Sequence, residues 1–300
     1  MNLSDYKLGF AFNGGKESTV VLHMVKHLDP IPFIVKSDHD FHEIKSFVKS
    51  SGLNVIEYNN EIEAIQDLIK SYGVNAIVMG CRRTDPKCSD LNEICYTDGD
   101  YPKIIRINPL LDWSYDDVWS YIDRNNIEVC DLYKDGYTSI GNITNTFPNY
   151  TLFNGSGYDH AKYLTDGELE RVGRIKSKLP IKFESKVIHG LKRGREIGFP
   201  TANVNIKLDI DNGVYYGTSI LEGKKYNMVM SKGENIHFDQ TETTVEVHLL
   251  EYENSDYFYG KNIKVKIVGY IRPMLKLDTL SSLIERIRKD IEIANYHLSD

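Results

Sequence analysis

The sequence contains few cysteines, and none of them forms a Cys-x-x-Cys pair. Cys81, Cys88, Cys95 and Cys130 are the four in 300 residues. A zinc ribbon or a dithiol redox centre normally uses such a pair, so both kinds of site are disfavoured and we expect free, reduced thiols. The similar spacing of the first three is only a weak indication of a metal site, because no His pair accompanies them.

The sequence also lacks an excess of positive charge and a long apolar run. The formal net charge is -7 at pH 7, which gives no electrostatic reason to expect a nucleic-acid partner. No basic segment precedes the first apolar run, and that run is too short for a signal peptide or a membrane span. We therefore expect a soluble cytoplasmic protein without a membrane partner, and the sequence identifies no partner protein.

Two well-known phosphate-transfer signatures are absent. The chain contains neither the Walker loop Gly-x-x-x-x-Gly-Lys-Ser/Thr nor the signature set of protein kinases. It has instead two other glycine-containing polar segments, Phe12–Ser18 and Gly194–Asn203. Any phosphate chemistry is therefore expected at these two segments.

The periodicity of apolar residues predicts two domains of different kinds. Between residue 8 and about residue 125, short apolar runs alternate with amphipathic stretches, which is typical of βαβ units on a parallel sheet. The predicted strands are Leu8–Phe12, Pro32–Lys36, Asn54–Tyr58 and Ala76–Met79, and the predicted helices are Glu17–Leu28, Glu43–Ser51, Glu61–Tyr72 and Tyr115–Asn125. Ser114 is a suitable N-cap for the last of these helices.

The second half of the sequence has the period of an antiparallel sheet. Residues 131–160 are rich in turn-forming residues, and a short helix is predicted at Asp166–Lys178. Alternating strands follow, at Gly213–Leu221, Lys225–Ser231, Thr243–Glu251 and Asn262–Tyr270, and then a helix with an apolar stripe at Ser281–Leu298. The prediction is an α/β chain with a parallel-sheet domain at 1–180 and an antiparallel barrel with a C-terminal helix at 181–300.

The first polar segment has the composition of a phosphate loop. Gly14 and Gly15 follow a predicted strand and precede a helix, so backbone N–H groups at the helix start can face an anion. Lys16 is expected to add a mobile positive charge. An ordinary strand-to-helix turn remains an alternative, because paired glycines are common in turns.

The segment Phe-Asn-Gly-Gly-Lys-x-Ser resembles the pyrophosphate loop of the adenine-nucleotide α-hydrolase superfamily, and specifically that of eukaryotic-type FAD synthetases related to phosphoadenylylsulfate reductases. Later segments resemble successive signatures of the same family, and the resemblance covers most of residues 8–174. These segments are Gly80–Pro86, Asn108–Trp113, Tyr137–Gly141 and Glu170–Arg174. The resemblance implies a Rossmann-like domain that joins FMN to ATP.

The resemblance also implies roles for individual residues of the first site. The proposed phosphate-binding and catalytic residues are Asn13, Gly14, Gly15, Lys16, Glu17, Ser18, Asp85, Arg171 and Arg174, and the proposed flavin-binding residues are Arg83, Thr84 and Trp113. Asp85 is expected to help place the flavin or its phosphate, and the two arginines to neutralise the triphosphate from one helical face. A turn role for Asp85 and a solvated surface for the arginines remain open. Glu17 replaces the family's usual Asp, which leaves the effect of the longer side chain undetermined.

The second polar segment combines glycines with hard oxygen donors. Gly190, Gly194 and Gly198 allow backbone N–H groups to approach phosphates, next to Pro200. Thr201 and Asn203 carry oxygen atoms suited to Mg²⁺, although such ligands also admit Mn²⁺.

The sequence from Lys186 to Asn203 resembles the opening of riboflavin kinases. Further matches in the same order extend the resemblance over about residues 184–298, at Gly213–Gly217, Thr244–His248, Phe258–Lys261 and Val268–Pro273. The resemblance implies that Glu246 is the general base for the riboflavin 5′-hydroxyl, whereas the alternation of its strand alone favours a solvent-facing carboxylate. His189 and His248 are expected to be structural.

Together the two resemblances predict an enzyme of FAD biosynthesis, with ATP and Mg²⁺. The barrel phosphorylates riboflavin to FMN, and the N-terminal domain adenylylates FMN to FAD. Three alternatives remain: a riboflavin kinase with a degenerate N-terminal domain, a sulfonucleotide reductase, and a flavin-binding or scaffold protein. A reductase is disfavoured because it would need a catalytic cysteine near the C-terminus, whereas the last cysteine is Cys130.

Overall fold

The described residues of this computed structural model are 3–189, 193–234, 243–252 and 259–299, and they form two compact units. The first unit comprises the chain up to Tyr133 together with Thr165–Glu168, and the second comprises Lys134–Leu164 and the chain from Leu169 onward. Residues 134–164 and 169–180 thus fold with the barrel. The assignment of the two enzymatic domains to 1–180 and 181–300 remains a prediction.

The first unit is built on a mostly parallel six-stranded sheet. Its strands are β1 (Leu8–Ala11), β2 (Ile31–Val35), β3 (Ile56–Tyr58), β4 (Ala76–Val78), β5 (Ile94–Tyr96) and β6 (Ile105–Ile107), in the order β3-β2-β1-β4-β6-β5. Only β5 runs antiparallel to its neighbour among these strands. The predicted α/β class and its four strands are confirmed. Strands β5 and β6 were not predicted, because neither is a continuous buried apolar run such as β4.

The helices of the first unit start and end within one residue of the predicted positions, except that the first ends at Val25 and the predicted remainder, Lys26–Leu28, is a 3₁₀ turn. They are α1 (Lys16–Val25), α2 (His42–Ser50), α3 (Glu61–Tyr72) and α4 (Tyr115–Asn125). Ser114 caps α4 in a capping box with Asp117, and Asn60 caps α3 by accepting a hydrogen bond from the Glu63 amide. Because β1 leads directly into α1, the helix N-terminus lies at the carboxyl edge of the sheet, where ligands of such sheets bind.

The second unit contains a closed antiparallel barrel and a C-terminal helix. In the described residues its elements are β7 (Ile181–Ile188), α5 (Arg193–Glu196), β8 (Ala202–Val204), β9 (Gly213–Leu221), β10 (Lys224–Glu234), β11 (Thr243–Leu249), β12 (Asn262–Arg272) and α6 (Leu280–Leu298). The six strands close in the order β10-β11-β8-β7-β12-β9. Val245, Val247 and Leu249 alternate into the barrel core, as the period of β11 predicts. The predicted barrel with a C-terminal helix is confirmed.

Helix α6 is attached to the barrel by an apolar face and by buried charges. Ile293 and Ala294 pack with Val214 and Tyr216 in one cluster of buried residues. Asp290, which is only 2% exposed, accepts bidentate hydrogen bonds from Arg272 on β12 and a further one from Arg286 on α6. Across the described parts of the chain, no helix has the length and apolarity to cross a bilayer.

The helix predicted at Asp166–Lys178 is wrong. The structure has a 3₁₀ turn at Gly167–Leu169 and then an irregular chain that pairs with residues 144–147. The Phe147 amide donates to the Gly173 carbonyl at 2.9 Å, and the Ile175 amide donates to the Asn145 carbonyl at 3.1 Å. These long-range hydrogen bonds use backbone groups that a helix would need, so tertiary pairing outweighs the helical pattern. Phe147, Ile175 and Leu179 pack into the barrel core.

Candidate active sites

The loop between β1 and α1 is held by Asn13. Its side-chain oxygen accepts hydrogen bonds from the Gly15 amide at 3.0 Å and from the Ser18 hydroxyl at 2.8 Å. Gly14 has φ of 74°, a left-handed conformation that other L-residues rarely adopt. The structure therefore brings Asn13, Gly14, Gly15 and Ser18 together at the N-terminus of α1, as the sequence predicts.

Next to this loop, one carboxylate lies between two buried cations. Glu17 Oε1 is 2.9 Å from Lys16 Nζ and 3.1 Å from Arg82 Nε, and both basic residues are 1% exposed. Burial by itself raises the pKa of Glu17, but the charges of Lys16 and Arg82 outweigh it and the pKa is lowered. Glu17 is therefore an ionised link between α1 and the loop after β4. Sequence reasoning did not nominate Arg82, although it lies inside the matched segment Gly80–Pro86.

The expectation that Lys16 supplies a mobile charge is wrong. Besides its ion pair with Glu17, Lys16 Nζ lies 5.0 Å from the centre of the Tyr115 ring and 5.7 Å from that of Tyr133. The Lys16 amide donates to the Tyr133 hydroxyl at 2.7 Å. Burial, and then the nearby Glu17 charge, raise the pKa of Tyr133, so this hydroxyl stays protonated. Tyr133 has no local sequence signal, because it is distant from the loop along the chain.

The loop after β4 carries Asp85 and approaches α1 closely. Asp85 Oδ2 accepts a hydrogen bond from the Arg82 amide at 2.9 Å, and the Asp85 amide donates to the Arg82 carbonyl at 2.9 Å. The turn role of Asp85 is therefore present in the structure. A Cβ on Gly80 would lie 2.8 Å from the Glu17 and Ser18 backbone, so only glycine fits at this contact.

The three proposed flavin-binding residues lie in the same part of the first unit. Arg83 is anchored by Asp112, with Nε at 2.7 Å from Oδ1, and by the carbonyl oxygens of Ser89 and Leu91. The hydrogen bond and charge of Asp112 raise the pKa of the guanidinium further. Thr84 is exposed, and the half-buried Trp113 packs on Tyr121 with ring centres 5.5 Å apart. Their contact with a flavin stays a prediction.

Arg171 and Arg174 lie in the second unit and converge on Ser139. Both guanidinium groups have an Nη1 atom 3.4 Å from Ser139 Oγ, and Arg174 Nη1 also donates to the Ile140 carbonyl at 3.0 Å. The two guanidinium groups are thus close together because the chain turns between them and both contact the Ser139 hydroxyl. Contrary to the prediction, they do not share a face of a helix. Ser139 belongs to the matched segment Tyr137–Gly141 but was not nominated.

On the barrel, Glu246 is placed beside Thr201 and Asn203. The Thr201 hydroxyl donates to Glu246 Oε2 at 2.9 Å, and Asn203 on β8 is paired in register with Glu246 on β11. Residues paired across two antiparallel strands lie on the same face of the sheet, and here the neighbouring valines occupy the opposite, core face. The structure therefore assembles three oxygen-bearing side chains that are distant in sequence.

These residues have the chemistry of a site for Mg²⁺. A carboxylate, a hydroxyl and an amide oxygen are hard donors of the kind that this ion prefers. Within the described residues, no group of three or more His, Cys, Asp or Glu side chains is arranged to hold a metal. A cation at the barrel would therefore depend on Thr201 and Asn203 together with phosphate oxygens.

The loop before β8 is shaped by two glycines and a histidine. The Phe199 amide donates to the Gly194 carbonyl at 2.7 Å, and Gly198 has φ of 90°. His248 Nδ1 donates to the Pro200 carbonyl at 2.8 Å; burial lowers the pKa of His248 against the opposing effect of this hydrogen bond. His248 thus fixes the loop as a neutral imidazole. Gly190 lies outside the described residues.

Comparison with known proteins identifies both halves. A family model for riboflavin kinase matches residues 177–298, and one for the phosphoadenosine phosphosulfate reductase domain matches residues 50–148. A Schizosaccharomyces pombe protein named "Probable FAD synthase" is 37% identical over 191 residues, covering 56% of this chain and 71% of the relative. Human riboflavin kinase is 39% identical over 128 residues, covering 40% of this chain and 82% of the relative.

A solved structure agrees with the match to the FAD synthase. The Candida glabrata FMN adenylyltransferase is 26% identical, with a TM-score of 0.52, over 57% of this chain and 80% of that one. The same enzyme has been solved with ATP, and also with FAD and inorganic pyrophosphate. Transferase domains of two kinds are therefore present, and the chain belongs to the FAD synthetases of the phosphoadenylylsulfate-reductase-like type through its N-terminal part and to the riboflavin kinases through its C-terminal part.

Proposed function

We propose that this chain converts riboflavin to FAD in two ATP-dependent steps. The barrel transfers the γ-phosphoryl group of ATP to riboflavin, and the N-terminal domain transfers the AMP part of a second ATP to the resulting FMN. The observation that carries the proposal is that domains of both families occur in one chain. The product of one domain is the substrate of the other.

In the kinase step, Glu246 is the general base. A primary alcohol is a poor nucleophile until its proton is removed, so a carboxylate beside the 5′-hydroxyl takes that proton as phosphoryl transfer begins. The Thr201 hydroxyl donates to Oε2 of this carboxylate and so fixes its orientation. Mg²⁺ held by Thr201 and Asn203 would supply charge neutralisation for the phosphates.

In the adenylyl-transfer step, no protein nucleophile is required. An oxygen of the FMN phosphate attacks the α-phosphorus of ATP, the bond to the β-phosphate bridging oxygen breaks, and pyrophosphate leaves. Catalysis then consists of positioning and charge neutralisation. The loop held by Asn13 and Ser18 would position the ATP phosphates. Asp85 would position the flavin substrate, and Arg171 and Arg174 would neutralise the phosphate charge.

One observation favours the alternative of a riboflavin kinase with a degenerate N-terminal domain. The amides of Gly15 and Lys16 already donate to Asn13 and Tyr133, and the Lys16 ammonium group is paired with Glu17. These donors must be released, or left unused, when phosphates bind. FAD formation from FMN and ATP discriminates between the two functions, because only the bifunctional enzyme performs it.

The roles of Asp85 can be separated by two variants. Asp85→Asn keeps an oxygen that accepts from the Arg82 amide but removes the charge, whereas Asp85→Ala removes both. If the charge places the substrate, both variants lose FAD formation from FMN and keep riboflavin phosphorylation, and only Asp85→Ala, which also loses the hydrogen bond of the turn, unfolds at a lower temperature. Asp98→Ala, at an exposed loop position, is the control. Full activity in Asp85→Asn would restrict Asp85 to its turn role, and full activity in Asp85→Ala would remove it from the site.

A further inference from the structure

Three of the four cysteines meet around one arginine in the first unit. Arg106 Nη2 is 3.1 Å from Cys81 Sγ and 4.0 Å from Cys88 Sγ. Arg106 Nε donates to Asn108 Oδ1 at 2.9 Å, and the same oxygen accepts from Cys81 Sγ at 3.0 Å. Cys95 lies on the other side, with its sulfur 3.9 Å from Asn108 Nδ2. We refer to Cys81, Cys88, Cys95, Arg106 and Asn108 as the thiol cluster.

The thiol cluster has the features of a reactive site rather than of an apolar core. Cys81 and Cys95 are partly exposed, whereas Cys88 is 7% exposed. A guanidinium group in contact with a sulfur stabilises the thiolate, which is the form of cysteine that reacts with peroxides. Burial, followed by the electrostatic effect of Cys81, raises the pKa of Cys88. Cys88 is therefore a sheltered thiol that approaches the same guanidinium nitrogen, Arg106 Nη2, as Cys81 does.

The position of the cluster connects it to the FAD-forming site. Cys81 and Cys88 are the two ends of the loop that carries Arg82 and Asp85. Arg82 binds the carboxylate of Glu17, and Asp85 forms the turn that holds the Arg82 amide. A bond between the two sulfurs would hold them about 2 Å apart, and we expect this constraint to displace the loop between them. Gly80, at its base, packs so closely on α1 that a Cβ there would lie 2.8 Å from the Glu17 and Ser18 backbone, so we expect the displacement to fall on the part of the loop that carries Arg82 and Asp85.

We propose that Cys81 and Cys88 are a peroxide-responsive dithiol site whose oxidation to a disulfide switches off FAD formation. The Cys81 sulfur attacks one oxygen of hydrogen peroxide and the O–O bond breaks; the proton of the Cys81 thiol goes to the departing hydroxide, so Cys81 becomes a sulfenic acid and water is released. The Cys88 sulfur then attacks the Cys81 sulfur, the S–O bond breaks, and a second water leaves. Two thiols and one peroxide thus give one disulfide and two waters, and the two electrons come from the thiols. A dithiol reductant restores the two thiols by thiol–disulfide exchange and is itself oxidised to a disulfide.

The chain contains an internal control for this proposal. No cysteine occurs after Cys130, so the whole riboflavin kinase match at residues 177–298 is free of thiols. Peroxide is therefore expected to reduce FAD formation from FMN at least tenfold, and to leave FMN formation from riboflavin unchanged in the same sample. Addition of dithiothreitol restores FAD formation. Equal loss of both activities would indicate general damage and overturn the proposal.

Four variants identify the sulfurs involved. Cys88→Ser, which removes the sheltered thiol, is expected to keep its initial FAD formation and to resist inactivation by peroxide through disulfide formation. Cys95→Ser and Cys130→Ser are matched controls that stay sensitive, and Cys81→Ser is protected like Cys88→Ser. Protection by Cys95→Ser in place of Cys88→Ser would contradict the assigned pair.

A second measurement does not depend on activity. The full chain is treated with one equivalent of hydrogen peroxide, alkylated, and digested with trypsin and endoproteinase Asp-N, which cut after Lys87 and before Asp90 and so separate Cys88 from Cys95. A disulfide-linked peptide pair containing Cys81 and Cys88 supports the proposal, and its absence at full oxidation overturns it. The switch rests on the proposed function, but this readout does not. If the protein forms the disulfide but never makes FAD, the proposed function is refuted, whereas the dithiol site is supported.

Discussion

The two proposed active sites use their carboxylates in opposite ways. In the first unit, Glu17 is an ionised carboxylate held between the buried cations of Lys16 and Arg82. On the barrel, Glu246 accepts a hydrogen bond from the neutral hydroxyl of Thr201 and faces Asn203. The charges of the two cations lower the pKa of Glu17, so this carboxylate has a low affinity for protons.

This difference corresponds to the chemistry proposed for each domain. Adenylyl transfer to a phosphate oxygen releases no substrate proton, so the carboxylate at the first loop is free to act as a structural link. Phosphorylation of an alcohol requires a base, so the carboxylate on the barrel has to be available to the substrate. The comparison teaches that a conspicuous charged residue in a phosphate loop need not touch phosphate. Variants of Glu17 and Glu246 test these two assigned roles.

Glu246→Gln should have the largest effect. The amide keeps the shape and an acceptor for Thr201 but cannot take a proton, so we expect riboflavin phosphorylation to fall by roughly 10²- to 10⁴-fold in kcat. FAD formation from supplied FMN should not change. Glu184→Gln, at an exposed strand position of the same barrel, is the control and should retain full turnover. A Glu246→Gln enzyme with wild-type kcat would show that another group is the base.

Glu17→Gln should act mainly on stability. The substitution removes the negative charge that the buried Lys16 and Arg82 share. Breaking a comparable buried ion pair lowers the free energy of unfolding by about 3–5 kcal/mol. The matched control is Glu57→Gln, because the pair that Glu57 forms with Lys36 is exposed and should be worth less than about 1 kcal/mol. Urea unfolding followed by the fluorescence of Trp113 and Trp119 measures both. Equal, small decreases in the free energy of unfolding of the two variants would mean that Glu17 is not a structural link.

His297 provides a pH-dependent test in the second unit. It stacks on Tyr216, with ring centres 4.9 Å apart, and burial lowers its pKa from 6.5 to about 4. Between these values the unfolded chain binds the proton and the folded chain does not. Stability is therefore full above about pH 6.5 and falls by about 3 kcal/mol as the pH drops to about 4.

The variant His297→Gln removes the titrating group and isolates its contribution. Its free energy of unfolding should depend less steeply on pH than that of the wild type between pH 6.5 and 4, by the same amount of about 3 kcal/mol. Denaturant unfolding at a series of pH values gives both curves. Parallel curves for the two proteins would show that His297 does not carry this pH dependence.

Thr201→Val should give the smallest effect. The substitution keeps the shape of the side chain and removes one hydrogen bond to a charged group, worth about 1.5–3 kcal/mol, so we expect riboflavin phosphorylation to fall by about 10- to 150-fold. Thr201→Ser keeps the hydroxyl and should retain most activity. A Mg²⁺ titration of both variants checks the second role of Thr201, because the valine variant should require more of the ion. Identical titrations would remove Thr201 from the cation site.

The fold was largely predictable because its elements have strong periodicity. The alternation of β11 and the N-cap at Ser114 are each visible in the local sequence, and both are confirmed. The helix expected at Asp166–Lys178 failed for the opposite reason. Its backbone hydrogen bonds are taken by a segment about 30 residues earlier in the chain, around Phe147, and no local pattern records such a pairing.

The site was predictable in its residue types but not in its pairings. The sequence nominated Asn13, Ser18 and Glu246, and the structure places each beside other nominated residues. Nothing in the sequence indicated that Arg82 would form an ion pair with Glu17, or that the Tyr133 hydroxyl would accept a hydrogen bond from the Lys16 amide. These contacts link positions far apart in the chain, so they depend on the packing of whole elements rather than on motif spacing.

The central claim is that one chain carries both reactions in sequence, and labelled ATP tests it most directly. The purified protein is incubated with riboflavin, Mg²⁺ and ATP labelled either at the γ- or at the α-phosphate, and the flavins are separated over time. The account predicts that γ-label enters FMN first and is then carried into FAD, whereas α-label appears only in FAD. Labelled FMN that accumulates without any α-label in a flavin would contradict the claim and leave a riboflavin kinase alone.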